Sequence, residues 1–483
     1  MTTTALNRPA ADEVVDGTEM LSAEHQELAR TVRRFADEVV APASYEYDTA
    51  RRLPMEIIAK MGKMGLFGLP IPVEYGGQGK DYMSLCVAVE QLGRVDQSIA
   101  VTLEAGLGLG AMPIYRFGTE EQKRTYLPAL ARGEALAAFG LTEAQAGSDA
   151  GATQTTAVLE DGWWRIDGTK QYITNSGTPI TSVVTVTCVT GRKVGKDGQE
   201  KPELSTIIVP TPIDGFTALP AYDKIGWNTS DTHPLVFDNV RVPEGNLLGA
   251  RGKGFSNFLS VLDEGRVAFA ALCVGAAQGC LEQAIERAKT RVVFGRPIGD
   301  NQHIAFTIAR MRSRVHAARA VMHDAARRID QGLPFTEQAS LAKLIGSEAA
   351  VANANDATQI WGGAGFMNEN VVARHLRDCR ILTLGEGSTE VQLAIIARSL
   401  GFEKSFGASL MYSSRGINSP PKSAPPLSKP CGMVSSVGQS GPKFVQWPEL
   451  KKLPSSMKPR CPSPGENALS YLWTGKSART PRS

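Results

Sequence analysis

The residue pattern predicts an α+β chain arranged in three zones: helical, then β, then helical again. Residues 22–135 carry helical periodicity, as in Glu27-Leu28-Ala29-Arg30-Thr31-Val32-Arg33-Arg34-Phe35-Ala36, interrupted by Gly and Pro between Gly65 and Gly79. Residues 138–248 change character. Val183–Val189 and Ser205–Val209 are β-branched runs bounded by Gly, Asp and Pro, which suit strands. Residues 254–402 return to long amphipathic stretches, Gly254–Arg291 and Gln302–Gln331. The domain boundaries expected are a lead at 1–21, a helical domain at 22–136, a β domain at 137–250 and a second helical domain at 251–403. A tail, 404–483, completes the chain.

Composition narrows the function classes. The 483 residues are 42% hydrophobic and 21% charged, ordinary values for a globular protein with a large core. No apolar run is expected to reach the ~20 residues of a spanning helix. Acidic residues at 12, 13, 16 and 19 speak against a mitochondrial transit peptide, so a cytoplasmic location is expected. The seven cysteines include no Cys-x-x-Cys pair, and the six histidines form no metal signature, so no metal site is expected. The net charge of +3 hides an asymmetry: residues 405–483 hold eleven Lys/Arg against two Asp/Glu and 12 of the 28 prolines. That segment reads as a disordered basic tail, or as a shifted reading frame, and is given no catalytic role or nucleic-acid partner.

Several short motifs each admit a plain reading and a chemical one. Gly106-Leu107-Gly108-Leu109-Gly110 invites a dinucleotide-binding reading, but Ala111 stands where the third glycine of the fingerprint belongs. Close packing between helices explains it better. Phe139–Gly151 contains Gly147-Ser148-Asp149, either a simple turn or a loop presenting amides and a hydroxyl to a ligand. Lys170-Gln171-Tyr172-Ile173-Thr174-Asn175 is an edge strand or an aromatic wall with a neighbouring hydroxyl. Glu386 stands between Gly385 and Gly387. It is either a solvated residue at a helix end capped by those glycines, or a base that a substrate can approach closely.

Taken in order, the Phe139–Gly151 loop, Lys170–Asn175, Leu262-Asp263-Glu264-Gly265-Arg266, Arg291–Ile298 with Gln302, Gln359–Phe366 and Leu384–Gln392 resemble the acyl-CoA dehydrogenase family. The resemblance covers about residues 22–402. It implies an N-terminal helical domain, a middle β-barrel-like domain and a C-terminal four-helix bundle, with FAD bound without a dinucleotide fold. For the flavin it implies Phe139, Leu141, Thr142, Gly147 and Ser148 from one loop, and Tyr172, Ile173 and Thr174 from the next. Thr142 and Thr174 would hydrogen-bond the ring, since a compact hydroxyl donates without adding charge. Tyr172 replaces a tryptophan common in relatives. For the rest of the cofactor it implies Arg291, Phe294, Gln302, Gln359, Gly362, Gly363, Ser388 and Glu390, some of them reaching a neighbouring subunit. Val293 replaces a residue that is polar in many relatives.

On the substrate side the resemblance implies Ser148, Asp263, Arg266 and Gly387, with Arg266 at the mouth of the CoA channel. The plain alternative for Arg266 is a surface salt bridge with Asp263 or Glu264. Glu386 matches the base that removes the α-proton of the thioester. Some branches of the family carry that base just before the position of Arg266, which here is Gly265. The implied activity is α,β-dehydrogenation of a short-, medium- or branched-chain acyl-CoA, with electrons passed to electron-transfer flavoprotein. The implied assembly is a homotetramer, a dimer of dimers, with no membrane partner. An oxygen-using oxidase of the same fold and a non-catalytic subunit of a mixed tetramer are the alternatives.

Overall fold

The computed structural model describes residues 20–402 except 196–197. The expected lead (most of 1–21) and tail (404–483) lie outside the described residues, as do Cys431 and Cys461. The helical zone holds α1 (Ala23–Phe35), α2 (Ala41–Ala50), α3 (Met55–Lys63), α4 (Tyr82–Gly93), α5 (Gln97–Glu104), α6 (Met112–Phe117) and α7 (Glu120–Ala131). Starts follow side-chain caps: Ser22 accepts from the His25 amide, Asp96 accepts from Ser98 and Ile99, and Thr119 forms a capping box with Gln122. Every residue of α4 is buried, so that helix runs through the protein rather than over it.

Strands β1 (Leu136–Gly140), β2 (Thr156–Glu160), β3 (Trp163–Thr174), β4 (Thr181–Val194), β5 (Glu200–Pro210), β6 (Phe216–Ala218), β7 (Thr232–Pro243) and β8 (Leu247–Leu248) form one sheet. Its order is β6-β7-β3-β2-β4-β5-β8, with β1 parallel to β4. The expected strand runs fall in β4 and β5, which pair antiparallel with Val186 opposite Ile207. A small core of its own, including Trp164, Ile166, Ile207 and Phe237, sits on this sheet.

The second helical zone has α8 (Gly254–Thr290), a hairpin of β9 (Val292–Val293) and β10 (Arg296–Pro297), then α9 (Gln302–Asp330), α10 (Thr336–Trp361), α11 (Val371–Cys379) and α12 (Thr389–Ser399). Val267–Leu281 of α8 is buried on all faces, which makes α8 the central helix. It shares one continuous core with the N-terminal helices.

Two expectations need correction. Gln97–Phe117 is long and apolar enough to cross a membrane by composition, but it is 89% buried inside the protein. That stretch is core, broken by a π-helical turn at Ala105–Ala111. The glycines of the turn do not pack helix on helix. A Cβ on Gly110 would stand 2.7 Å from the Ala137 carbonyl of β1, and one on Gly106 would stand 3.2 Å from Asn175 Nδ2. The small residues let a wide helical turn lie against the sheet.

A buried ion pair fixes the start of the β zone. Lys170 Nζ, fully enclosed, donates to Glu143 Oε1 at 2.7 Å and to the Leu141 carbonyl at 3.1 Å. The Gln154 and Thr155 amides donate to the same carboxylate at 2.8 and 3.1 Å. Burial pushes the Lys170 ammonium below its usual range. Burial also works against the Glu143 charge, yet Lys170 holds that carboxyl below its ordinary value. Lys170→Met should lower stability by about 3–5 kcal/mol, because Glu143 is left buried and unpaired. The check is a thermal melt of the apoprotein, read beside Lys170→Met/Glu143→Leu, which should regain most of the loss.

Candidate active site

Glu386 is held in an unusual backbone conformation by several side chains at once. It comes just after a short 3₁₀ turn, Arg380–Thr383, and has φ +53°, while Gly387 has φ +92°. A glutamate in the left-handed region costs free energy and persists only where its surroundings enforce it. Gln392 Nε2 donates to the carbonyls of Glu386 at 3.2 Å and Gly387 at 2.9 Å. Lys343 Nζ, from the middle of α10, donates to the Gly387 carbonyl at 2.7 Å. Arg266 Nε reaches the Glu386 carbonyl at 3.4 Å. The Glu386 amide has no backbone hydrogen-bond partner among the described residues, so it is free to donate to a ligand.

The two flanking glycines differ. A Cβ on Gly387 would stand 2.7 Å from Gln392 Nε2, in addition to its left-handed φ. One on Gly385 would make ordinary contacts at 3.6 Å with Phe269 and the Ile381 carbonyl. The backbone freedom expected of both glycines is therefore required only at Gly387 and at Glu386 itself. Gly385 closes the preceding turn through its amide bond to the Ile381 carbonyl at 2.8 Å, whereas Gly387 is more than a helix cap.

The carboxyl end of Glu386 is enclosed: Oε2 is buried and, apart from the neighbouring Glu104 carboxyl, meets no hydrogen-bond donor. A Cβ on Gly265 would stand 3.2 Å from that oxygen and 2.8 Å from Leu109 Cδ2. The position where other branches place a base thus lies against this carboxyl and has no room for a side chain. Burial drives the Glu386 pKa up. A hydrogen bond with Glu104 and the charges of Arg266 and Lys343 offset part of that, leaving it at about 7.

Arg266 is buried at 4% exposure, so it is not a surface ion-pair partner. Its guanidinium is bound to Asp263, whose other oxygen accepts from Thr336 Oγ1 at 2.8 Å. The residue orients the Glu386 turn. Lys343 has no exposed surface and lies 5.7 Å from the centre of the Phe269 ring. Burial lowers its ammonium below the usual range, with partial offset by Glu386.

The β zone reaches the same place. Asn175 Nδ2 donates to the Thr102 carbonyl of α5 at 3.1 Å, two residues from Glu104, which brings neighbouring Thr174 alongside. The Gln171 amide donates to the Thr142 carbonyl at 2.9 Å, tying the two loops together. The Thr142 and Thr174 hydroxyls are both accessible and engage no other described side chain or carbonyl. Tyr172 is 66% exposed and stacks on Tyr222 with ring centres 5.2 Å apart. Phe139 packs on Phe258 of α8 at 4.1 Å, and Ile173 and Leu141 are buried beneath. Gly147 and Ser148 are exposed, and a Cβ on Gly147 would touch nothing. An open wall with uncommitted hydroxyls and an exposed aromatic fits the flavin ring.

The remaining expected cofactor residues lie at one end of the helical bundle. Trp361 Nε1 donates to the Gln283 carbonyl at 3.1 Å, and Arg287 lies over its ring at 5.0 Å. The tight turn after α10, with Gly362 and Gly363, therefore sits near the end of α8, where Arg291 caps the helix. Arg291, Gln302, Gln359, Gly362 and Gly363 are all exposed, and Phe294 is fully so. Within one chain these residues enclose nothing. Ser388 and Glu390 open α12 just after the Glu386 turn.

The sequence reading missed Glu104, Lys343 and Gln392, three polar residues that are essentially fully enclosed around this turn. Glu104 had a visible signal, being the one charged residue between Asp96 and Arg116. Asp378 is also buried and accepts from the Trp227 amide at 2.6 Å, and burial pushes its pKa up to about 7.

Comparison with known proteins agrees with this geometry. Models of the acyl-CoA dehydrogenase N-terminal, middle and C-terminal domains match residues 22–134, 138–240 and 252–401. The probable acyl-CoA dehydrogenase YngJ of Bacillus subtilis is 45% identical, over 79% of this chain and 98% of that protein. The chain belongs to the acyl-CoA dehydrogenase family. Among solved structures, butyryl-CoA dehydrogenase from Megasphaera elsdenii is 37% identical with a TM-score of 0.75, covering 79% of this chain and 98% of that one. A chain from a structure on the electron transferring flavoprotein of Acidaminococcus fermentans is 38% identical with a TM-score of 0.76, and the coverage is the same. The acyl-CoA dehydrogenase family is FAD-dependent, and this chain is an acyl-CoA dehydrogenase.

Gly387→Ala should lower the melting temperature through about 1–3 kcal/mol of backbone strain. It should also slow turnover by about a hundredfold, because the base is displaced. Gly385→Ala should melt within about 0.5 kcal/mol of the parent. Paired thermal melts and dye-reduction assays read both.

Proposed function

We propose that the chain removes the α-proton of a short-chain acyl-CoA with Glu386 and orients the thioester for hydride loss from the β-carbon. The observation that carries this reading is the enclosed Glu386 carboxyl, held beside its own unpartnered amide in a left-handed turn. The amide donates to the thioester carbonyl, where enolate charge develops, and one such donor is typically worth about 10²–10³ in rate. The carboxylate then takes the proton, which contributes roughly 10²–10⁴. Leu109, packed against Gly265, and Phe269, packed against Gly385, put apolar surface around the turn and keep water from the carboxylate.

FAD supplies the hydride acceptor when bound. Thr142, Thr174 and Tyr172 would hold its ring. Arg291, Gln302 and Gln359–Gly363 would hold its phosphates and adenosine, with Arg291 as the charged fork. Full exposure of Phe294 and its neighbours in one chain supports a homotetramer in which these residues complete a partner's site. Electrons pass to electron-transfer flavoprotein. The short-chain reading is supported by the likeness to butyryl-CoA dehydrogenase and by Leu109 filling space beside Gly265.

Glu386→Gln should purify yellow, bind acyl-CoA and lose at least about a hundredfold in flavin bleaching by saturating butyryl-CoA. Bleaching near the parent rate would sink the base assignment. A panel of four-, eight- and sixteen-carbon thioesters should bleach fastest at four carbons. Oxygen uptake should stay negligible, which separates this reading from an oxidase. The bleaching rate should rise with pH through about 7, since only the ionised Glu386 accepts a proton and burial holds its titration there. A limb near the ordinary carboxylate range would contradict the burial argument.

A further inference from the structure

Glu104 is a second carboxyl beside the base. It ends α5, is 1% exposed, and outside the Glu386 carboxyl neither of its oxygens meets a hydrogen-bond donor. Glu386 Oε2 is equally enclosed and equally without a donor. The two carboxyls lie within hydrogen-bonding reach of each other. No side chain intervenes from the facing turns: a Cβ on Gly265 would stand 3.2 Å from Glu386 Oε2, and one on Gly108 would stand 3.5 Å from Glu104 Oε1. Two ionised carboxylates cannot share such a place, because both only accept and both are negative in a dry space. One proton between them satisfies both.

The surrounding groups decide where that proton sits. Tyr82 of α4 faces both carboxyls, but its hydroxyl donates to the Glu264 carbonyl at 2.6 Å. Glu264 itself is paired with Arg116 at 3.1 Å. From α8, Arg266 is bound to Asp263 and the Glu386 carbonyl, and Cys273 is a buried neutral thiol. From α10, Lys343 is bound to the Gly387 carbonyl, and beyond it Glu390 opens α12. Both cations act on Glu386, whereas Glu104 is influenced only by its burial and by Glu386. The charge therefore belongs on Glu386 and the proton on Glu104. Burial, and then the Glu386 charge, hold Glu104 well above the usual carboxylate range, in agreement.

We propose that Glu104 is a positioning residue for the dehydrogenation: as the protonated partner, it donates a hydrogen bond to Glu386, keeping the base ionised and its free oxygen turned to the substrate. When Glu386 takes the α-proton the pair becomes two neutral acids, so the site never holds two charges.

The inference rests on Glu386 as base, and the test separates the two. Holoenzyme carrying Glu104→Leu or Glu104→Gln is mixed with saturating butyryl-CoA, and the bleaching rate is followed across pH. Glu104→Leu should move the acid limb upward by about one pH unit or more, with the rate recovered above it, because a donor to the charge is lost. Glu104→Gln, whose amide still donates, should keep the limb near the parent position. An unmoved limb in Glu104→Leu, or an equal loss at every pH in both variants, overturns the proposal. If Glu104→Leu does not assemble, infrared spectra of the parent and Glu104→Gln decide. The parent at mildly alkaline pH should show a buried carboxylic C=O band that the variant lacks, and no such band overturns the proposal. If Glu386→Gln itself bleaches normally, the base assignment falls instead.

Discussion

A carboxylate that takes a proton from carbon must be dry enough to want it, and keeping one dry constrains much of this molecule. Burial raises the Glu386 pKa toward neutrality, but burial alone would leave the acid protonated and useless. The surroundings therefore return part of the charge stabilisation without returning water. Arg266 and Lys343 do so from a distance, each committed to a backbone carbonyl or a second carboxylate. Because neither forms an ion pair with the Glu386 carboxylate, its basicity is moderated rather than abolished.

The same two cations, with Gln392, hold the backbone. A glutamate at φ +53° next to a glycine at +92° would relax if its carbonyls were free. Four hydrogen bonds to the Glu386 and Gly387 carbonyls prevent that. The turn then presents amide and carboxylate on one side, where a thioester can meet both. Electrostatic tuning and backbone strain are thus served by one set of side chains drawn from α8, α10 and α12.

Much of this was legible in the sequence and some was not, for identifiable reasons. Helical and β zones showed because β-branched runs and 3.6-residue periodicity survive in local sequence. Glu386 showed because Gly387 beside it is a backbone requirement, and such requirements are written locally. Lys343 and Gln392 did not show, since a lysine or glutamine in a helix reads as surface unless its neighbours are known. Glu104 was hidden by the glycines around it, which drew attention to packing. Arg266 was recognised, but its burial was not, because spacing reveals that it is near Asp263 and not that the guanidinium is enclosed.

The π-helical turn at Ala105–Ala111 links these points. A wide turn shifts the register of the residues after it, and Gly106 and Gly110 allow it to lie on β1 and against Asn175. Asn175 is the residue after Thr174, and Glu104 is the residue before the turn. The distortion therefore sets the spacing between the hydroxyl expected at the flavin and the carboxyl that faces the base. A regular helix through Gly106–Gly110 would keep the apolar burial and lose that registration. On this argument the glycine run that mimics a nucleotide-binding fingerprint borders the Glu386 carboxyl instead. It acts there through helix geometry rather than through phosphate contact.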